Sequence, residues 1–210
     1  MSSYTTICLL YLGRCLDKEL KRLLAIRGSK IGMIGTSILV VYNLLLHGLN
    51  LLIPRLGLAL VFIIVSLGYA LIALSLEIIS STLRGIERVR AYALAMVITL
   101  TISLSLHVAA LYVASINITY AVLLMFFYVV TFYVVNGLVL ARIFRTISLR
   151  YELKDFKIAY YTMVVGYVFL PLIGLVSGQL GLFLWLSHIV AAMSFLFSTF
   201  GFLTIKRALS

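Results

Sequence analysis

Six long segments of the chain are apolar along nearly their whole length, and short polar links separate them. Each segment has about 20 residues or more, enough for a helix to cross a hydrocarbon core of about 30 Å. Backbone amides inside lipid need internal partners, and the segments lack the polar alternation of barrel strands. The pattern therefore predicts an all-α, polytopic membrane protein with six transmembrane helices, at residues 30–53, 56–81, 91–115, 116–143, 158–176 and 180–205.

A different pattern precedes the first apolar segment. Leucines recur at helical spacing, and basic and acidic side chains fill the positions between them; the leucines are Leu9, Leu12, Leu16, Leu20 and Leu23. This periodicity is typical of an amphipathic helix lying on a membrane surface. We predict a cytoplasmic amphipathic region at residues 1–29, ended by Gly28, and a transmembrane domain at residues 30–210.

The links between the apolar segments differ in length and charge. Three of them are very short, namely Pro54–Arg55, Ser115–Asn117 and Ser177–Gln179, whereas the others are longer and basic. Short turns predict that the six helices form three hairpins. No polar segment projects from the side of the short turns, so we expect the function to lie within the membrane or on the other face.

The distribution of positive charge gives the orientation. The net charge is +11, and with six spans all but Arg55 of the 17 Lys and Arg residues lie on one side. The positive-inside rule then places both termini in the cytoplasm of a protein of the plasma membrane. Basic residues that flank spans attract anionic headgroups, so a lipid bilayer rather than nucleic acid is the expected partner. No cleavable signal peptide is expected.

Polar side chains inside the spans are the candidates for function because burying them in lipid is unfavourable. The three histidines all lie about 10–12 Å below the surface of the short turns, given a rise of 1.5 Å per residue. They form either one site for a proton, metal or haem, or separate interhelical hydrogen bonds of about 0.6 kcal/mol each. The candidate intramembrane polar site is Asn43, His47, Asn50, Thr99, Ser103, His107 and His188. We expect no metal and no cofactor, with haem as the alternative.

Two further predictions concern an ion pair near the basic side and a kink within the fifth span. Glu77 and Arg142 have similar depths near the ends of their spans, so we predict an ion pair between them, which Asn136 could join. Pro171 cannot donate a hydrogen bond to the carbonyl of Tyr167, so a helix kink is predicted around Gly166, Pro171 and Gly174.

Several stretches resemble a largely archaeal family of small integral membrane proteins, domain of unknown function 996. The resembling stretches are Ile31–Leu39, Leu56–Val61, Asp155–Ala159, Val165–Gly166, Trp185 and Ala191–Phe195. The likeness covers about residues 30–205 and consists mainly of Gly, Leu and Phe spacing. It departs from the family in the basic N-terminal helix and in lacking a clear Ser-Asp after the second span. It implies a fold and a location and transfers no catalytic residue.

A second resemblance is to the membrane subunits of ABC exporters. It is carried by the basic helix around Lys18–Leu23 before six spans, and it implies that this helix and the link Ser81–Arg90 contact an ATPase. The short turn Ser177–Gln179 departs from that pattern, because such subunits have more structure between their last two spans.

The most consistent function is transport of the permease type through a polar intramembrane pathway, with no enzymatic activity expected. The alternatives are a membrane subunit of an ABC exporter, a haem- or quinone-binding redox protein, and a scaffold subunit of a membrane complex. A homo-oligomer or partner membrane or ATPase subunits are the expected protein partners. Scarce amide side chains, with Gln179 the single glutamine, are typical of a thermophile but also of any strongly apolar protein.

Overall fold

The computed structural model describes the backbone of residues 3–46 and 54–210 and the side chains of residues 17–44 and 63–210. Over this range the chain is helical and has no β-strand, so the predicted all-α class is confirmed. The long helices are α1 (Ser3–Val41), α2 (Pro54–Thr82), α3 (Arg88–Ala114), α4 (Ile118–Tyr151), α5 (Lys154–Ser177) and α6 (Leu180–Leu209).

Each of these six helices contains a stretch long and apolar enough to cross a membrane. Their outer faces carry large apolar side chains: Ile63, Leu94 and Val122 are exposed by 63, 63 and 62%. Apolar surface on this scale is unfavourable in water and favourable against lipid chains. The predicted set of six candidate spans is therefore confirmed by length and composition.

Helix α1 continues without a break through Gly28, so the predicted helix end at this residue is wrong. A Cβ atom on Gly28 would lie 3.0 Å from side-chain atoms of both Ile78 and Ile79. Two turns further along, a Cβ on Gly35 would lie 2.8 Å from the carbonyl oxygen of Gly68. The glycine at position 28 thus serves the close approach of α1 and α2.

The helices contact one another in chain order, and α6 contacts α1. Aliphatic and aromatic side chains fill the space between them. The ring of Tyr69 on α2 lies 6.4 Å from that of Phe132 on α4 and 6.2 Å from that of Phe195 on α6. The ring of Tyr167 on α5 lies 6.2 Å from that of Phe195. These four buried rings tie four helices to one core.

Two of the short turns contain residues suited to ending or starting a helix. Asn117 caps α4, since its Oδ1 atom accepts hydrogen bonds from the backbone N–H groups of Thr119 and Tyr120 at 3.0 and 3.3 Å. Gly178 ends α5 with a φ of 71°, a left-handed conformation that glycine adopts without strain. Residues within the turns therefore define the start of α4 and the end of α5.

The other end of the bundle brings the basic segments together. The guanidinium of Arg22 on α1 donates to the carbonyl oxygen of Leu209 at the end of α6. The hydroxyl of Tyr151 at the end of α4 donates to the carbonyl oxygen of Arg84, in the link after α2, at 2.9 Å. We call this the basic end.

Candidate functional site

Within residues 3–46 and 54–210, three of the long helices widen from α to π geometry for one turn. The π turns are Tyr42–Leu46 after α1, Val130–Val135 within α4 and Val164–Phe169 within α5. A π turn adds one residue to the helical turn, is rare in proteins and occurs frequently at functional sites. All three π turns carry a polar side chain that points to the same buried histidine or to its hydrogen-bond partner.

That histidine is His188, the ninth residue of α6, which is 2% exposed. Its Nδ1 atom lies 2.7 Å from Oδ1 of Asn43, which belongs to the first π turn. Its Nε2 atom lies 2.9 Å from the hydroxyl of Tyr133, which belongs to the second. Tyr167, from the third π turn, donates to Oδ1 of Asn43 at 3.5 Å.

The hydrogen bonds of Asn43 determine the tautomer of His188. The Nδ2 atom of Asn43 donates to the carbonyl oxygen of Leu39 at 2.7 Å, which orients the amide so that Oδ1 faces the imidazole. An amide oxygen only accepts, so Nδ1 of His188 must carry the proton. In the neutral ring Nε2 is then an acceptor for the hydroxyl of Tyr133.

Aromatic rings enclose this hydrogen-bonded group, which we call the His188 cluster (Asn43, Tyr133, Tyr167 and His188). The ring of Tyr42 meets the imidazole edge-on at 5.8 Å, and that of Tyr133 at 5.7 Å. All four residues of the cluster are buried. A hydrogen-bonded polar group in such an apolar enclosure is held in one arrangement, because a broken bond would leave a buried polar atom without compensation.

Side-chain hydroxyl groups donate hydrogen bonds to backbone carbonyl oxygens in and beside the π turns. The hydroxyl of Ser187, next to His188, donates to the carbonyl oxygen of Gly166 within the third π turn. The hydroxyl of Thr131 in the second donates to the carbonyl oxygen of Phe127 at 2.8 Å. Each bond adds a side-chain donor to a carbonyl group in or beside a π turn, and the carbonyl of Phe127 also accepts the backbone N–H of Val130.

The predicted residues of α3 lie beside this cluster and not within it. The hydroxyl of Thr99 donates to Oδ1 of Asn136 on α4 at 3.3 Å. Ser103 is buried and donates to the carbonyl oxygen of Thr99 at 2.6 Å. His107 meets the ring of Tyr128 edge-on at 4.6 Å, and Tyr128 in turn lies 6.5 Å from Tyr133. The aromatic core thus links His107 to the His188 cluster.

The predicted ion pair between Glu77 and Arg142 is wrong. Glu77 pairs with Arg90 of α3 at 2.8 Å, whereas Arg142 is exposed on α4. Asn136, proposed to join that pair, is instead fully buried against Thr99. Equal depth along two helices does not make side chains meet, because the rotation of each helix about its axis also decides the contact.

The third π turn ends at Phe169, two residues before Pro171, and so lies in the part of α5 where the kink is predicted. Proline leaves the carbonyl of Tyr167 without its helical donor, which favours a changed hydrogen-bond pattern at this point. A Cβ on Gly166 would lie 3.0 Å from the backbone nitrogen of Ala191, and one on Gly174 would lie 2.8 Å from Cβ of Phe183. Both glycines therefore permit α5 and α6 to pack closely.

His47 and Asn50 lie outside the described residues. Within the described ones, no three His, Cys, Asp or Glu side chains come together as a metal site would require. The candidate residues taken from the sequence did not include Tyr133 and Tyr167. The position of Tyr167, four residues before Pro171, is the one signal that could have identified it.

No protein-family model, no curated protein and no solved structure matches the chain.

Proposed function

We propose that this chain is a permease-type transport protein of the plasma membrane, with both termini in the cytoplasm. In this proposal the six spans act as three hairpins, and residues 1–29 lie along the inner leaflet. The observation that carries the proposal is the convergence of three π turns on His188.

In this proposal the π turns are the two-state element that transport needs. Converting a π turn to an α turn changes the number of residues per turn, so the segment beyond it rotates relative to the segment before it. Interrupted helices that meet inside the membrane line the substrate paths of many transporters. Three such turns around one polar cluster support the proposal, because in it the backbone that moves would lie beside the groups that bind a solute or proton.

The haem alternative is less favoured by the same geometry. Both ring nitrogens of His188 are engaged, one with Asn43 and one with Tyr133. Ligation of iron by Nε2 would have to break the bond to Tyr133 in a tightly packed aromatic enclosure. The cluster suits hydrogen bonding to a small polar solute or proton better than it suits a macrocycle.

Transport is tested by reconstituting the purified protein into vesicles on a solid-supported membrane. Currents are recorded on exchange into panels of amino acids, sugars and organic cations, each with and without a pH step. We expect a current with at least one panel that His188→Leu abolishes. Thr101→Val is the matched control, because Thr101 is exposed and bonds only within its own helix, to the carbonyl oxygen of Val97. Wild-type currents equal to those of empty vesicles for every panel would contradict transport of these solutes.

Access to the cluster is a second test. In a background with Cys8→Ser and Cys15→Ser, Ser187→Cys should react with a membrane-impermeant maleimide, because alternating access opens the cluster to water. Ala110→Cys is the control, since Ala110 is equally buried on α3 but outside the cluster. Equal protection of both positions would favour a static, structural role.

A further inference from the structure

A groove opens at the basic end, with a volume of about 1070 Å³. It lies between α1, the end of α2, the link after it, and the start of α3. Among the side chains that the structure describes, five cations line it against two carboxylates; the cations are Lys18, Lys21, Arg22, Arg84 and Arg90. The excess of positive charge is the first indication of an anionic ligand.

The groove exists because α1 is longer than its neighbour. The two helices are in close contact where Gly28 meets Ile78 and Ile79. Beyond this point α2 ends at Thr82, whereas α1 continues past it toward its first residues. The overhanging part of α1 therefore faces the link after α2 across an open space.

Three of these cations already bond to acceptors within the protein. Lys21 pairs with Asp17 at 2.7 Å, Arg90 pairs with Glu77 at 2.8 Å, and Arg22 donates to the carbonyl oxygen of Ser210 at 2.6 Å. Glu87 accepts a hydrogen bond from the backbone N–H of Gly85 at 2.9 Å. Among the side chains that the structure describes, Lys18 and Arg84 donate to no protein acceptor, so two exposed cations remain for a ligand.

The depth of the groove indicates the source of the anion. The apolar stretches of α2 and α3 end at Thr82 and begin at Arg88. If α2 and α3 span the membrane as in the proposed function, on which this step rests, the groove would lie at the level of the lipid headgroups. Leu20 and Leu23 of α1 are exposed by 56 and 55%, and Leu83 lies in the groove lining. Apolar surface beside a cationic groove suits an amphiphile better than a free ion.

We propose that this groove binds the headgroup phosphate of an anionic phospholipid between Lys18 and Arg84. The acyl chains of that lipid would lie against the apolar side chains of α1. Basic pockets between helices bind anionic lipid headgroups in this way. The site is independent of the His188 cluster and of the transport proposal.

The test is native mass spectrometry of the protein in a neutral detergent, titrated with phosphatidylglycerol or phosphatidylcholine. Wild type should bind phosphatidylglycerol in preference to phosphatidylcholine. The double variant Lys18→Gln, Arg84→Gln should bind phosphatidylglycerol about thirtyfold more weakly, since each cation near a headgroup contributes roughly a factor of five. The charge-preserving variant Lys18→Arg, Arg84→Lys should bind it nearly as well as wild type.

The matched control is Arg142→Gln, Lys157→Gln, which removes one arginine and one lysine from exposed positions outside the groove. Equal weakening in both glutamine double variants would overturn the site and leave a general charge effect. Displacement of the lipid by millimolar inorganic phosphate would overturn the lipid assignment. Equal binding of the two lipids to wild type would overturn the proposal as a whole.

Discussion

The Nδ1 atom of His188 lies 2.7 Å from the Oδ1 atom of Asn43, although the two residues are on helices at opposite ends of the chain. Both side chains are buried, with exposures of 2 and 3%. The bond joins α6 to the π turn after α1 and so completes the contact of the last helix with the first. We expect this pair to matter more for stability than an average interhelical hydrogen bond.

The variant Asn43→Leu should lower the free energy of unfolding by about 1–3 kcal/mol, because it leaves the buried N–H of His188 without its acceptor. Unfolding in mixed micelles with increasing dodecyl sulfate measures the change. Thr101→Val removes a hydrogen bond at an exposed position and should have little effect.

A double-mutant cycle separates the bond from other consequences of the substitution. Combining Asn43→Leu with His188→Leu should give a coupling energy of about 1 kcal/mol, since two residues in direct contact do not act additively. Additive effects would mean that the two side chains stabilise the fold independently.

The predicted tautomer of His188 can be tested by spectroscopy. Nitrogen-15 NMR of labelled protein should show Nδ1 protonated and Nε2 unprotonated near neutral pH, since Asn43 presents only an acceptor. The variant His107→Gln, His47→Gln leaves one histidine signal to assign. Tyr133→Phe should shift the Nε2 resonance by removing its donor, while Tyr161→Phe, an exposed position, should not. A protonated Nε2 in wild type would contradict the assigned hydrogen-bond network.

The helices were predictable from the sequence because continuous apolarity is a local property of each segment. The pairing of Asn43 with His188 and the partner of Glu77 were not, since both depend on how each helix is rotated. Arg90 was counted as a charge that orients the membrane topology, yet it is the residue that Glu77 reaches.

The π turns were invisible to the sequence pattern for a different reason. Adding one residue to a helical turn leaves the segment as apolar as before, so hydropathy does not change. Only Pro171, which removes a helical donor, marked one of the three. Tyr133 and Tyr167 lie in two of those turns. Nothing in the apolar sequence around them indicates that they belong to the cluster.

Close packing of α1 against α2 predicts a large effect of adding one methyl group. Gly35→Ala should destabilise the protein by about 1–3 kcal/mol, because its Cβ would lie 2.8 Å from the backbone oxygen of Gly68 and backbone must move. Gly181→Ala is the control, since nothing lies within 4 Å of the added Cβ. It should be neutral or stabilising by up to about 1 kcal/mol, as alanine favours the helix. Similar thermal midpoints for the two variants would contradict the predicted contact.

The proposed orientation predicts that reporters fused to either end of the chain remain inside the cell. A fluorescent protein that folds only in the cytoplasm should fluoresce at both ends, and alkaline phosphatase should be inactive at both. Moving the positive charge tests the cause: Arg84→Glu with Arg88→Glu and Arg90→Glu should raise the fraction of inverted molecules. Phosphatase activity at either end of the wild-type chain would contradict the orientation.

The link between α2 and α3 predicts a dependence of stability on pH. The N–H of Gly85 donates to Oε1 of Glu87 at 2.9 Å, and this bond, with the nearby charge of Arg150, lowers the pKa of Glu87 from its usual value of 4.5. A lowered pKa in the folded state adds stability above the unfolded pKa, and this stability is lost as pH falls through the folded value. Glu87→Gln should therefore destabilise the protein at pH 7 and have progressively less effect below about pH 4.5, toward the folded pKa. The measurement is the thermal midpoint of wild type and of Glu87→Gln from pH 7 down to pH 3, with Glu152→Gln as an exposed control. A difference between wild type and Glu87→Gln that is constant with pH would show that the carboxylate charge contributes nothing.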